Sequence, residues 1–105
     1  MSVKPVLVTT TLPSKEKALE MAKKLVSGKL AACVNIASVL SVYEWEDKIQ
    51  EDSEHKLFIK TFEKNWPELK KSIQNNHPYS VPEISMLLIE DMHEDYLSWM
   101  KDVCS

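Results

Sequence analysis

The stretch from Ala31 to Trp45 has the pattern of one long β-strand, and its length restricts the folds that the chain can adopt. Strands usually run for about five or six residues. Four apolar side chains share one parity: Val34, Ile36, Leu40 and Val42. Tyr43 and Trp45 take the other parity, and parity decides which face of a sheet a side chain occupies. This change of parity predicts a bulge or twist of the strand near Val42, or a far end of the strand that packs against different neighbours from the rest. A turn then leads to a return strand that includes residues 57–62.

The first helix is predicted between a short strand and the long one. Residues 6–11 are rich in β-branched side chains, which is typical of a buried strand. Ser14 then suits the N-cap of a helix, and Gly28 is expected to end that helix in the left-handed conformation. Between these two residues, apolar side chains at helical spacing predict the inward face of the helix: Ala18, Leu19, Ala22, Leu25 and Val26.

A second helix, a fourth strand and a last helix are predicted after the return strand. Asn65 and Glu68 have the spacing of a capping box, in which each side chain bonds to the backbone of the other residue. Residues 84–89 form an apolar stretch that predicts a strand. Asp91 with Glu94 predicts the cap of the last helix.

The predicted elements follow one another as β-α-β-β-α-β with an extra C-terminal helix, in a chain of 105 residues. This order is the signature of an α+β, ferredoxin-like fold, and the length predicts a single domain over residues 1–105. Right-handed crossovers place the first and third strands in the middle and the fourth at an edge. An apolar edge strand and an overlong hairpin would both leave apolar surface and unpaired strand edges exposed to water. We therefore expect a closed oligomer in which the hairpin of one subunit pairs with the edge of the next.

All 13 basic residues are lysine, and this composition excludes several classes of function. Phosphate clamps favour the arginine guanidinium, and a net charge of −3 offers no basic surface to a nucleic-acid backbone. The single glycine, Gly28, excludes a Gly-rich phosphate loop. The two cysteines, Cys33 and Cys104, predict no disulfide framework. With neither a signal region nor a membrane-spanning stretch, the sequence predicts a cytoplasmic protein without a membrane partner.

The segment His77–Glu83 has the most specific chemistry in the chain. Two prolines stiffen it, a histidine opens it and a glutamate closes it. Imidazole, thiolate and carboxylate groups together suit copper or zinc. The predicted metal ligands are therefore His77, Cys33 and Glu83, with Cu(II) or another divalent ion as the candidate cofactor and no organic cofactor. The alternative is a plain connector between a helix and a strand, with Cys33 as a small buried hydrophobe.

Aromatic side chains predict a second kind of site, a ligand cleft between subunits. Ligand pockets are commonly lined by aromatic side chains and often form at interfaces. Interface aromatics also serve as packing anchors, which is the alternative. No set of nucleophile, base and orienting group is evident, so no catalytic residue is predicted. The charged stretch Glu51–His55 is expected to be solvated. The candidates for a cleft between subunits are Tyr43, Trp45, Lys60, Tyr79 and Trp99.

Six stretches that span nearly the whole chain carry a family resemblance: Lys29–Ile36, Tyr43–Trp45 with Lys48-Ile49, Glu51–Glu54, Ile59–Thr61, His77–Glu83 and Tyr96–Trp99. Together they resemble the CutA family, the CutA1-type divalent-cation-tolerance proteins. The resemblance implies a ferredoxin-like subunit in a tight homotrimer of PII-like architecture. It also implies a link to tolerance of copper and other divalent metals, copper binding in several members, and no established catalytic activity.

The chain departs from the family pattern in two places. Asp47 stands where the hairpin commonly carries a glycine, and Thr9–Thr11 stands where some members have a cysteine. If that cysteine binds soft metals, this chain should bind Cu(I) less well.

The predicted function is that of a trimeric copper-binding protein of metal-ion tolerance and homeostasis. The alternative is a non-catalytic, PII-like signalling or scaffold trimer that binds a small molecule or a protein partner in its clefts. An enzyme of the acylphosphatase kind would need an arginine to hold phosphate, and the chain has none.

Overall fold

A four-stranded antiparallel sheet organises residues 3–105, the part of the chain that this computed structural model describes. The strands are β1 (Pro5–Leu12), β2 (Cys33–Trp45), β3 (Lys48–Phe62) and β4 (Ser85–Leu88). Their spatial order is β2-β3-β1-β4, and every neighbouring pair is antiparallel. The predicted positions of the central and edge strands are confirmed, and the arrangement is ferredoxin-like.

Three helices cover the sheet. They are α1 (Lys15–Ser27), α2 (Trp66–Asn76) and α3 (Glu94–Cys104), and a short 3-10 turn precedes α2. Helices α1 and α2 pack on the face of the sheet that presents Val8 and Ile59, and the residues of this interface form the main core. Helix α3 builds a smaller cluster at the end of β3, in which Phe62 contacts Met100.

The β2–β3 hairpin is paired without interruption from Cys33 opposite Lys60 to Trp45 opposite Lys48. Of the alternatives predicted for the change of parity, the bulge near Val42 is therefore wrong. Strand β1 ends at Leu12, opposite His55, so the hairpin continues alone beyond the rest of the sheet. Apolar side chains occur there on both faces because neither face is covered within one chain, and the projecting hairpin draws the molecule out to 47 Å in its longest dimension.

The turn of this hairpin is built from two residues with positive φ, Glu46 at 52° and Asp47 at 62°. Two left-handed residues between antiparallel strands form the type I′ turn, which matches the twist of a hairpin. Glycine is the usual residue at the second position, because a side chain costs energy in the left-handed region. Because aspartate stands at position 47 in place of the usual glycine, the turn is strained.

Replacing this aspartate should relieve part of that strain. We expect Asp47→Gly to raise the free energy of unfolding by about 0.5–1 kcal/mol, measured by urea denaturation at a fixed protein concentration. Lys48→Gly is the matched control, because residue 48 belongs to β3, where glycine should destabilise by about 0.5–1 kcal/mol. Equal effects of the two glycines would contradict this account of the turn.

The ends of α1 confirm one predicted cap and correct the other. The backbone N–H of Lys17 donates to Ser14 Oγ at 3.1 Å, as an N-cap requires. Gly28, however, has a φ of −81° and is not left-handed; Lys29, with a φ of 63°, takes that position. The N–H of Lys29 bonds to the Val26 carbonyl and the N–H of Leu30 to the Leu25 carbonyl, which is the Schellman pattern shifted by one residue.

The predicted capping boxes of the other two helices are wrong. Asn65 precedes α2, but its side chain makes no cap hydrogen bond. Its Nδ2 instead donates to Thr61 Oγ1 at 3.1 Å and to the Cys104 carbonyl at 2.9 Å, which ties the start of α2 to the end of α3. His93 is the N-cap residue of α3 and makes no side-chain cap bond, while Asp91 accepts only from the neighbouring Met92 N–H.

Candidate functional site

A cavity of about 410 Å³ lies where the projecting hairpin leaves the end of β1 and meets the segment before β4. We call it the hairpin cleft and define it by its three aromatic and three acidic side chains: Tyr43, Trp45, Tyr79, Asp52, Glu54 and Glu83. Neither a lysine nor a histidine belongs to its wall among the described residues. The cleft is therefore acidic and aromatic together.

The uninterrupted register of the hairpin assembles one half of the cleft. Tyr43 lies opposite Gln50, and Asp52 and Glu54 follow at alternate positions on the same face of β3. The Tyr43 hydroxyl donates a hydrogen bond to Asp52 Oδ2. That bond, more than burial, raises the pKa of Tyr43, so its hydroxyl stays neutral and acts as a donor.

Tyr79 joins the other half of the cleft to β3. Its hydroxyl donates to Glu54 Oε2 at 2.7 Å. Desolvation and this hydrogen bond raise the pKa of Tyr79 far above its usual value. Glu54 is only 7% exposed, so the expectation that the stretch Glu51–His55 is solvated is wrong at this position.

His77 anchors the segment that carries Tyr79. The backbone N–H of Tyr79 donates to His77 Nδ1 at 3.1 Å, so Nδ1 holds no proton. The proton of the neutral ring is then on Nε2, which donates to the Thr11 carbonyl at 2.9 Å and lies 3.2 Å from Thr10 Oγ1. Burial lowers the pKa of His77, although the Thr11 carbonyl opposes the shift. Both ring nitrogens are thus occupied in holding the segment against the end of β1.

Glu83 ends the same segment on the floor of the cleft. Its Oε2 accepts hydrogen bonds from Thr9 Oγ1 at 2.7 Å and from Ser85 Oγ at 2.9 Å. The two donors belong to paired positions of β1 and β4, so the sheet itself sets where this carboxylate lies. Glu83 remains exposed.

A second group of predicted residues lies at the other end of the sheet. Cys33 begins β2 opposite Lys60, whose Nζ donates to Asn35 Oδ1 at 2.8 Å and lies 5.5 Å from the ring centroid of Tyr96. Trp99 contacts Tyr96 with the ring centroids 5.3 Å apart. Lys60 is six residues from Glu54 along β3, which corresponds to roughly 20 Å.

The structure therefore divides the predicted site residues into two groups. Within one chain, Tyr43, Trp45 and Tyr79 share the hairpin cleft with Glu83. Lys60 and Trp99 do not line it.

The predicted metal ligands are also divided. His77 and Glu83 flank the segment beside the cleft, whereas Cys33 lies in the distant group. Across residues 3–105, no three side chains of the histidine, cysteine, aspartate or glutamate types lie close enough together to hold a metal ion. A single chain, as folded here, does not fit a resident metal centre, and the three-ligand set stays a prediction.

Sequence reasoning missed Asp52 and Glu54 as site residues. A signal for them was present, because both share the parity that faces Tyr43 in a hairpin with a two-residue turn at residues 46 and 47. Counting strand positions outward from that turn would have placed the two acids beside the aromatic side chains.

A smaller cavity of about 250 Å³ lies on the far side of His77, between α1 and the end of α2. Lys17, Glu20 and Lys24 contribute charges of both signs to its wall. Lys24 Nζ also donates to Asn76 Oδ1 at 2.9 Å. Two lysines and one glutamate in its wall distinguish the smaller cavity from the hairpin cleft, where every charged side chain is acidic.

The fold and the site together define a ferredoxin-like domain with a projecting hairpin and an acidic, aromatic-walled cleft along that hairpin. The chain belongs to the family described as CutA1 divalent ion tolerance protein, whose model matches residues 6–103. The predicted family is thereby confirmed.

The similar proteins agree in sequence and in fold. The chain is 42% identical over 95 residues to the divalent-cation tolerance protein CutA of Pyrococcus horikoshii, covering 90% of this chain and 93% of that protein. It is also 42% identical to the chloroplastic protein CutA of Arabidopsis thaliana, of which it spans 56%. The crystal structure of CutA1 from Oryza sativa superimposes with a TM-score of 0.95 at 41% identity, over 99% of this chain and 96% of that one. In the described part of this chain, no helix is long and apolar enough to cross a membrane.

Proposed function

We propose that this protein acts as a homotrimer in the tolerance of divalent metal ions, and that the hairpin cleft is where it binds a cation. The observation that supports this most directly is the wall of the cleft, which includes three acidic side chains and no basic residue of the described chain. The names of the similar proteins point to the same class of ligand. The proposed role is binding, without catalysis.

Uncovered apolar surface supports the proposed assembly. Leu40, Val42 and Ile49 on the hairpin are 63–69% exposed, and Leu88 on the edge strand β4 is 65% exposed. Exposed apolar side chains beside unpaired strand edges mark a surface that another chain covers. Pairing of the hairpin with the β4 edge of a neighbour would cover both, and a closed ring of three copies would leave no edge free.

Cu(II) is the ion we propose to test first, because carboxylate and imidazole groups both suit it. Glu83 is the predicted ligand that already lies in the cleft. His77 can join it only by giving up a hydrogen bond to Tyr79 or to Thr11. Cys33 can contribute only from another subunit or from a separate site. The proposal therefore places more weight on cleft carboxylates than on the thiol.

Native mass spectrometry with and without a small excess of Cu(II) tests both parts of the proposal. We expect a trimer that takes up copper in multiples of three, because three symmetry-related clefts should fill alike. A monomer at micromolar concentration would contradict the assembly. A trimer that stays free of metal would remove the metal-binding part and retain the assembly.

Cu(II) affinities of variants at the predicted ligands then test where the copper binds. If Glu83 is a ligand, Glu83→Gln should weaken Cu(II) binding by more than about tenfold, equivalent to about 1.4 kcal/mol. Glu44→Gln is the matched control, because Glu44 is exposed on the opposite face of β2 from Tyr43. His77→Ala and Cys33→Ala test the remaining predicted ligands, and an unchanged affinity in either would remove that residue from the set.

A second candidate function is a non-catalytic signalling or scaffold trimer that binds a small molecule in the cleft. The aromatic walls and the volume of about 410 Å³ favour it, since small-molecule pockets are lined by aromatic side chains with a few polar groups. We keep the cytoplasm as the proposed location, although two plant relatives are named as chloroplastic.

A further inference from the structure

We propose that the hairpin cleft recognises an organic ammonium compound, in which one or more protonated amines are joined to an apolar carbon framework. This inference deepens the second candidate function and rests on the cleft being a ligand site. Three observations support it. The first is the buried carboxylate of Glu54, which has no counter-cation within the described chain. The others are the aromatic residues that line the cleft and the carboxylate oxygens of the cleft that accept no hydrogen bond from the described chain.

Glu54 is the first reason for a cationic ligand. This side chain is 7% exposed and faces the cleft. Its one hydrogen bond within residues 3–105 comes from the neutral Tyr79 hydroxyl, and no lysine of that range pairs with it. Buried carboxylates are almost always paired with a positive charge, because their desolvation is costly. A cation that enters the cleft would supply the missing partner.

The hydrogen bonds of the three acids leave a consistent pattern. Within the described chain, Asp52 accepts only through Oδ2, and Glu54 and Glu83 accept only through Oε2. The second oxygen of each acid is without a partner there. Each remaining oxygen can accept a hydrogen bond from an ammonium group, which carries up to three N–H donors.

The aromatic side chains distinguish an organic cation from a bare metal ion. Tyr43, Trp45 and Tyr79 line the same cavity. Aromatic faces attract ammonium groups and also pack against the methylene groups that carry them. A metal ion would instead need several donors within bonding distance of one point, and residues 3–105 do not place three such side chains together. The volume of about 410 Å³ also exceeds what a single ion fills.

Calorimetric titration with a matched pair of probes tests the inference. Butane-1,4-diamine carries two ammonium groups, and butane-1,4-diol has the same carbon chain without charge. With the intact protein at physiological ionic strength, we expect the diamine to bind and the diol to bind at least about tenfold more weakly. Equal binding of the two probes, or no binding of the diamine at millimolar concentration, would overturn the inference.

Three variants assign the binding to the cleft. Glu54→Gln keeps an acceptor for Tyr79 and removes the charge, so diamine affinity should fall at least about tenfold. Glu83→Gln changes an exposed side chain and should weaken binding without affecting folding. Glu44→Gln should leave affinity unchanged. If all three variants lost affinity alike, the diamine would be binding to general negative charge, and the inference would fail.

The copper and diamine titrations are run separately, since diamines chelate copper. Copper uptake without diamine binding would overturn this inference and leave the metal-tolerance proposal standing. Diamine binding without copper uptake would support the inference and count against the metal site.

Discussion

Leu25→Ala is expected to lower the free energy of unfolding by about 2–5 kcal/mol. Leu25 is 1% exposed and belongs to the core between α1 and the sheet. Its removal loses the transfer free energy of the side chain and leaves a cavity that the surrounding core fills only in part. Urea denaturation at one protein concentration measures the change, and the slope of the transition shows whether the folded state is otherwise preserved.

Leu19→Ala is the matched control, because it makes the same change in the same helix. Leu19 is 42% exposed, and we expect its replacement to cost within about 0.5 kcal/mol. The pair is informative since spacing alone predicts that both leucines point inward. If Leu19→Ala proved as costly as Leu25→Ala, the outer face of α1 would be covered by a neighbouring subunit.

Trp45→Ala is expected to weaken the proposed trimer by about 2 kcal/mol or more per interface, which is roughly thirtyfold in a dissociation constant. Trp45 lies at the hairpin tip and is 54% exposed within one chain. A large aromatic side chain on a projecting hairpin is the kind of residue that anchors an interface. Sedimentation velocity over a dilution series would measure the shift from trimer to smaller species.

Trp45→Phe should restore most of the assembly, because an aromatic ring remains at the tip. Leu19→Ala serves here as a control on helix α1, outside the hairpin, and should leave the dilution profile unchanged. A Trp45→Ala protein that dissociates like the parent would remove Trp45 from the interface, and the apolar Leu40, Val42 and Ile49 would then be the surface to test.

Much of the fold was predictable because its signals are local in the chain. Ser14 caps α1 as its side-chain chemistry requires, and the apolar stretch of residues 84–89 forms strand β4. The alternation of helices and strands led to the observed sheet order through the handedness of crossovers. One local prediction failed because of a tertiary contact. At Asn65, a tertiary hydrogen bond to the Cys104 carbonyl took the place of the expected cap.

The candidate site was predicted in part. Tyr43, Trp45, Tyr79 and Glu83 were recognised as candidates from their residue types and their setting, and the fold brings them to one cleft. Asp52 and Glu54 were missed because a charged hairpin usually faces solvent, and only the crossing of the segment 77–83 over the end of β1 buries Glu54. Cys33 was grouped with His77 on chemistry alone, since the sequence does not show how far apart two strand positions lie.

The sequence by itself determined the order of the elements, the parity of the hairpin and the absence of arginine. Each of these follows from the identity of residues or from periodicity along the chain. The tertiary structure alone decided which acids share a cavity and how the two ring nitrogens of His77 are used. The physical reason is that burial and hydrogen-bond partners depend on residues far away in the chain, and no local pattern records which of them meet in space.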